Sequence, residues 1–394
     1  MRTVASPKMR SRYDLVVIGG GILGLCVANE ATRQGYTALV VERDKICGAA
    51  SGNSLRIVHG GFRYLQKCAI RRFQESQVEQ QWFLSEFPDY VKPLPCVLPL
   101  DGRRYRRKLV AKVAAQLAAK VTARGRVQAL PNACLLSRDD VAERFGCRVK
   151  SRWSLVWHDA YLQDPNAVAN ELASRIRTQS GDVVEGVVCE HLAADGAHSK
   201  TILMRDVDSG ESYRIECPHV VVCCGAENHQ FAADIGIKSE KVPAVTAFNI
   251  VFDTLPAVAC AVAIPTWHQT YFAVPRGDEL VVGTGYTGNA MPTETDIGTV
   301  IGHLQDASAQ LQPGWRLTEC SVSKVESAKI AARKSALLRP AETAGIQLAR
   351  CGEANVRDSI IVATTPKYTV ARRVAQRIMH RIGCESAASE QLVT

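Results

Sequence analysis

The sequence is poor in the features that would take it out of the ordinary globular class. No apolar run reaches the ~18 residues of a membrane-spanning helix. Its 14 cysteines contain no C-x-x-C pair and no Cys/His ligand spacing, which argues against a zinc module or a disulfide framework. They read as reduced thiols packed inside a cytoplasmic protein, with no metal bound. The first twelve residues are basic without an apolar core, and the apolar run from Tyr13 is broken by three glycines, unlike a signal peptide. No internal repeat suggests a solenoid or propeller. A general excess of one charge is also absent. Residues 102–126 carry nine Lys/Arg and no acid, and without them the 39 acids are balanced by an equal number of bases. A nucleic-acid-coating protein is thereby excluded, and one basic helical patch is left. With 46% hydrophobic and 22% charged residues over 394 positions, the chain has material for more than one buried core.

What is present is most legible near the start. Tyr13–Ile18 has the β-branched content of a buried strand, and Gly19-Gly20-Gly21-Ile22-Leu23-Gly24 follows it. A helical pattern runs from there to Gly35, and a second strand, Thr37–Val41, leads into Glu42. In such a β–α–β unit Gly19 allows the tight turn, Gly21 lets the backbone approach a pyrophosphate, and Gly24 lets helix and sheet pack closely. The helix N-terminus offers N–H groups to phosphate, and Glu42 can accept from a ribose hydroxyl. Strand, helix, strand and acid in register point to a dinucleotide site. The polar, glycine-rich stretch 48–61 suits a second contact with an extended cofactor.

Further along, periodicity predicts helices over 68–87, 103–123, 166–178, 294–311 and 367–382. Strands are predicted at 183–192, 201–207, 213–217 and 220–222, and from 242 to 285 the pattern is mostly β. Strands interleaved with helices and then grouped imply an α/β cofactor domain with an inserted antiparallel sheet domain. No Pro/Gly/Ser-rich linker divides the two, so they are expected to interweave. The boundaries expected are 12–87, 155–232 and 350–386 for the cofactor domain, with 88–154 and 233–349 for the substrate or cap domain.

On these residues the chain resembles the FAD-dependent glycerol-3-phosphate dehydrogenases of the D-amino-acid oxidase (DAO) superfamily. The most specific piece is Arg56-Ile57-Val58-His59-Gly60-Gly61-Phe62-Arg63-Tyr64-Leu65, similar to the family's K-L-I-H-G-G-L-R-Y-L. DLVVIGGGILG, the stretches 75–100 and 159–172, VVVCCG at 220–225 and YFAVPRGDELVVGTG at 271–285 add to it, with a fainter match at Lys367–Arg372. The departures are Leu55 for a serine, Asn249 for a histidine, Thr365-Pro366 for two glycines, and no counterpart to the family's C-terminal helical domain.

The resemblance implies a Rossmann-like FAD-binding domain of the GR2/DAO type, FAD as cofactor, and hydride transfer to flavin N5 from the CH–OH group of a small anionic substrate. It implies cofactor contacts at Gly19, Gly21, Ile22, Leu23, Gly24, Glu42 and Arg43, then at Ser51, Ser54, His59, Gly60 and Gly61. Cys189, Cys224, Gly225, Lys367, Tyr368 and Thr369 complete that set. His59 and Arg63 read either as structural residues of a glycine-rich corner or, by the resemblance, as an active-site wall with Arg63 holding an anionic group. Arg333 is the candidate clamp for a phosphate or carboxylate, with Arg339 competing, and either arginine also reads as a solvated charge. Lys367 reads as positive charge near flavin N1/O2 or as a helix-start lysine. Tyr271 reads as pocket or core. The base is open: His59, a water, or none for a neutral amine.

Three functions compete: a dehydrogenase or oxidase of a phospho-alcohol, an amine or amino-acid oxidase on the same scaffold, and a non-catalytic binding or membrane-surface module. The electron acceptor, whether oxygen, quinone or protein, is not specified by the sequence. The 102–126 segment suggests peripheral contact with the inner membrane face, set against the plain alternative of a solvated face packed on its own core.

Overall fold

Four short runs, LVVI, ALVVE, HVVV and IIVAT, carry almost no polar interruption, so each must be covered on both faces. The computed structural model, which describes residues 9–65, 69–100, 130–194, 199–239, 241–253, 258–266, 269–288, 290–308, 321–332, 345–351, 360–365 and 367–391, makes these runs the centre of a sheet. The chain divides into two compact units, one of residues 1–52, 165–245 and 329–394, the other of 53–164 and 246–328.

In the first unit a seven-stranded sheet has the order Ile237–Lys238, Gly345–Cys351, Ile360–Thr364, His219–Val222, Leu15–Ile18, Ala38–Glu42, Asp182–Glu185. The last five are mutually parallel, and Gly345–Cys351 and Ile237–Lys238 extend the sheet antiparallel. The helix Ile22–Arg33 lies between the helices Pro165–Thr178 and Ala371–Gln391. Ten of its twelve residues are buried, which is why it reads as apolar nearly all round. A three-stranded antiparallel sheet, Val187–Ala194, Lys200–Asp206 and Ser212–Cys217, packs its Leu192, Ile202, Met204 and Ile215 into the same core. The single strand expected over 183–192 is therefore two, parted at Gly186, whose φ is +73°.

In the second unit a nine-stranded sheet follows the order Val322–Ala331, Ala244–Phe252, Glu279–Thr287, Thr270–Arg276, Ala261–Pro265, Val91–Leu100, Trp153–Leu162, Ile57–Val58, with Cys134–Ser137 also on Trp153–Leu162. It is mixed, not wholly antiparallel, because Ala261 and Val262 pair in parallel with Cys96 and Val97. Residues 53–87 and 155–164, grouped with the cofactor domain in the sequence reading, cluster here instead: Ile57 and Val58 pair with Tyr161 and Ala160. The Arg276 guanidinium, 12% exposed, forks onto Glu326 at 2.8 and 2.9 Å and onto Glu279 at 3.0 Å, joining three strands at one end. The expected basic helix 103–123 lies outside the described residues.

The tightest approach in the first unit is at Gly24. A Cβ there would sit 1.9 Å from the carbonyl oxygen of Gly19, itself held at φ +108° under the next strand. Gly298, exposed on the helix Glu294–Ser308, has nothing within 4 Å of such a Cβ. Gly24→Ala is therefore expected to lower unfolding stability by about 1–3 kcal/mol, while Gly298→Ala raises it by about 0.5–1 kcal/mol. Urea denaturation of both variants checks the contrast, and an unchanged midpoint for Gly24→Ala contradicts it.

Candidate functional site

The predicted site residues fall into two groups, one in each unit. In the first, the strand Leu15–Ile18 runs into Gly19, whose N–H donates to Val41 O at 2.8 Å and brings the turn against the second strand. Glu42 ends that strand. Its two oxygens accept from the N–H groups of Gly20, at 2.7 Å, and Asp44, at 2.9 Å. A carboxylate has about four acceptor positions, so capacity for a hydroxyl is left. Arg43 is exposed and ion-paired to Asp44 at 3.1 Å.

The helix Ile22–Arg33 starts at Gly21 with no side-chain cap on that residue and no acid in its first turn. Ser51, from the glycine-rich loop, accepts from the Ile22 N–H at 3.0 Å. The N–H groups of Leu23 and Gly24 have no partner among the described residues. A Cβ on Gly21 would meet only the Ser51 hydroxyl, at 3.3 Å, so the backbone there is open to approach. Unpaired donors, an open glycine and the positive end of a helix dipole fit the pyrophosphate of a dinucleotide.

The strand His219–Val222 ends beside this turn. Cys224 Sγ lies 3.6 Å from Ile18 O, and Gly225 takes φ +62° to begin a short helical turn. Burial pushes the thiols of Cys224 and Cys189 up to about 12, so both are neutral at physiological pH. Lys367 is the extended residue before the turn Tyr368–Val370, with Thr369 buried in it. Thr365 Oγ1 donates to Lys367 O at 2.9 Å and accepts from its N–H, so a hydroxyl bridges a bend where the resembled family has glycine.

In the second unit Ser54 Oγ accepts from the N–H of Arg56, which sits at φ +62°. His59 and Gly60 follow the short strand Ile57–Val58 and meet Asp159 on the strand Trp153–Leu162. His59 Nδ1 is 3.0 Å from Asp159 Oδ2, and the Gly60 N–H donates to Oδ1 at 2.7 Å. Asp159 is 3% exposed and His59 37%. Burial pushes the Asp159 carboxyl up, but the hydrogen bond and charge of His59, the Gly60 N–H and the Trp157 indole together hold it below the ordinary carboxylate range. Phe272 lies against the imidazole, with ring centroids 5.6 Å apart. Gly61, at φ +81°, opens the helical turn Phe62–Leu65 that holds the Arg63 backbone.

Sequence reasoning missed Asp159, Gln77 and Gln80. The two glutamines sit three apart on the helix Ile70–Glu86 and donate to Gly60 O at 2.7 Å and Val58 O at 2.8 Å. A Cβ on Gly60 would come within 2.3 Å of the Gln77 amide, so a side chain there would displace the two glutamine amides. Asn249 is buried, bonded to Thr284 and to Asn53 O. Tyr271 is a core residue, its hydroxyl 3.2 Å from His303 Nδ1. Arg333 and Arg339 lie outside the described residues, as does the Arg63 side chain.

Similarity to known proteins extends over most of the chain. A glycerol-3-phosphate dehydrogenase of Synechocystis sp. is 25% identical over 295 residues, 69% of this chain and 52% of that protein. A D-erythritol 1-phosphate dehydrogenase of Brucella abortus is 38% identical over 86 residues, 22% of this chain and 17% of the relative. The chain thus spans about half, or less, of the length of these curated relatives. Among solved structures, glycerol-3-phosphate dehydrogenase from Bacillus halodurans, complexed with FAD, superposes with TM-score 0.68 at 16% identity, over 96% of this chain and 66% of that one. Glycine oxidase from Geobacillus kaustophilus gives 0.66 at 14% identity, with 93% of each chain covered. The family described as FAD dependent oxidoreductase (DAO) matches residues 14–362, a span that takes in both the glycine turn and the His59–Asp159 pair. The protein belongs to that DAO family of FAD-dependent oxidoreductases.

Proposed function

We propose that this FAD-dependent oxidoreductase oxidises the CH–OH group of a small anionic phospho-alcohol, glycerol 3-phosphate or a close relative. One observation carries the reading: a partly exposed imidazole, His59, whose Nδ1 is engaged by a buried carboxylate at 3.0 Å. An alcohol must lose its hydroxyl proton as its C–H bond breaks, so it needs a base in reach, whereas a neutral amine does not. The relatives named for glycerol 3-phosphate and D-erythritol 1-phosphate support the same substrate class. The alternative is an amine or amino-acid oxidase on this fold, in which His59 has no substrate proton to take.

When bound, FAD supplies the hydride acceptor. The chain's own residues do the rest. Gly19, Gly21, Ile22, Leu23 and Gly24 receive the pyrophosphate on open backbone, with Ser51 bracing the helix start and Glu42 taking a ribose hydroxyl. By the resemblance, Arg43, Cys189, Cys224, Gly225, Ser54, Gly60 and Gly61 are proposed as further FAD contacts. Lys367 contributes positive charge where the reduced ring gains negative charge, with Tyr368 and Thr369 shaping the same turn. Arg63 and Arg333 fix the anionic end of the substrate, which sets the C–H bond in place for transfer. His59 accepts the hydroxyl proton. Cysteines without disulfide or ligand spacing suit a reduced, cytoplasmic setting, and the basic segment 102–126 suits peripheral contact with an anionic leaflet. Oxygen, a quinone and a redox protein are the candidate acceptors.

Glu42→Ala is expected to weaken FAD binding by about 1–3 kcal/mol through the lost ribose hydrogen bond. Titration of apoprotein with FAD measures it, and an unchanged Kd removes Glu42 from the site. With a dye acceptor, the holoenzyme is expected to turn over phospho-alcohols and to ignore hydroxy acids and amino acids lacking phosphate. Amino-acid turnover alone would select the alternative. Arg333→Lys keeps the charge but loses the planar fork, so KM should rise and kcat fall. If neither moves, the anion is held elsewhere.

A further inference from the structure

The strand Trp153–Leu162 pairs along one edge with Val91–Leu100. Along its other edge Cys134–Ser137 ends at Val156, and Ile57–Val58 begins at Ala160. Residues 157–159 thus lie in a gap between two partner strands. A cavity of about 40 Å³ opens there, bordered by Gly60, Gln77, Gln80, Asn132, Trp157 and Asp159. At the gap Asp159 carries a carboxylate almost wholly out of water. Oδ1 accepts from the Gly60 N–H at 2.7 Å and from Gln80 Nε2 at 3.3 Å. Oδ2 faces His59 Nδ1 at 3.0 Å and the Trp157 indole N–H at 3.3 Å, with Cys96 Sγ 3.9 Å away.

An ionised carboxylate only accepts hydrogen bonds, so the ring nitrogen facing it must carry the proton. We propose that Asp159 is a positioning residue: it holds His59 as the tautomer protonated at Nδ1, which leaves Nε2 as the lone pair that takes the substrate's hydroxyl proton. This rests on the reading of His59 as the base. In the step the O–H bond breaks, the proton passes to Nε2, and the resulting imidazolium is stabilised by the buried negative charge beside Nδ1. The C–H electron pair leaves as hydride for the enzyme's FAD, and the carbon becomes a carbonyl.

The network also dictates what an amide would do in the same place. The Gly60 N–H is a backbone donor and cannot turn round. The Gln80 amide is pinned by its 2.8 Å bond to Val58 O. Both require an acceptor at Oδ1. In Asp159→Asn the NH2 group is therefore forced to the Oδ2 position, where it faces His59 Nδ1 and the more distant Trp157 N–H. His59 must then accept at Nδ1 and carry its proton on Nε2, the nitrogen that should be empty.

Histidine-selective 15N NMR of the holoprotein reads the tautomer directly, with His59→Asn identifying the His59 signals. The native protein is expected to show an Nδ1–H imidazole at His59, and Asp159→Asn an Nε2–H imidazole. With a phospho-alcohol, kcat/KM of Asp159→Asn should fall roughly 10³-fold at neutral pH, with KM little changed. A native protein with its proton on Nε2 overturns the proposal whether or not the variant folds. So does an Asp159→Asn protein that holds FAD, keeps the native tautomer and loses no activity. The tautomer is measured without substrate, so a failure of the phospho-alcohol assignment is seen separately in the turnover panel.

Discussion

A carboxylate cut off from water must find its hydrogen-bond donors within the fold, and at Asp159 that requirement organises the second unit's site. The donors come from the Gly60 backbone, a glutamine of the helix Ile70–Glu86, the neighbouring Trp157 and the His59 ring. Each donor explains a residue choice. A side chain at position 60 would displace the Gln77 and Gln80 amides that close over it, and those glutamines are uncharged because their amides bond the Gly60 and Val58 carbonyls. The strand gap at 157–159 lets the chain after Val58 turn toward a side chain instead of continuing a ladder. Removing the charge leaves several donors facing one another, at about 1–3 kcal/mol for each one stranded.

The first unit is organised by steric contact. Gly24 sits against the Gly19 carbonyl, and Gly19 against the Cys223 carbonyl, so helix, turn and two strands converge within van der Waals distance. That convergence leaves the first N–H groups of the helix Ile22–Arg33 with no acid in the helix's own first turn. Burial on most sides then holds the helix in place, so the donors are fixed before any cofactor arrives.

The first unit's core was legible in the sequence because its signals are local. Three buried runs, three spaced glycines and an acid at the strand end lie within the first 42 residues or repeat one simple pattern, whereas Ile360–Thr364 was not read as a strand. The strand Val91–Leu100 was not legible. Pro93, Pro95 and Pro99 look like breakers, yet they share one parity, and their missing N–H groups fall on one edge while the full ladder to Trp153–Leu162 runs on the other. Asp159 was passed over because its partner is 100 residues away and its importance comes from burial, which periodicity does not report. Gln77 and Gln80 read as the polar face of an amphipathic helix, for the same reason. Tyr271, open between pocket and core, proved to be core because its hydroxyl is used inside the second unit.

Central to the proposed mechanism is that FAD takes hydride from the carbon of a phospho-alcohol while a histidine base takes the proton from its hydroxyl. Rapid mixing of the FAD-loaded protein with glycerol 3-phosphate under anaerobic conditions tests it, with protium and then deuterium at the secondary carbon. The oxidised flavin absorbance is expected to bleach in a single turnover, more slowly with deuterium, and much more slowly in His59→Asn. A flavin that stays oxidised with every phospho-alcohol while an amino acid bleaches it, or bleaching that His59→Asn leaves unchanged, would contradict it.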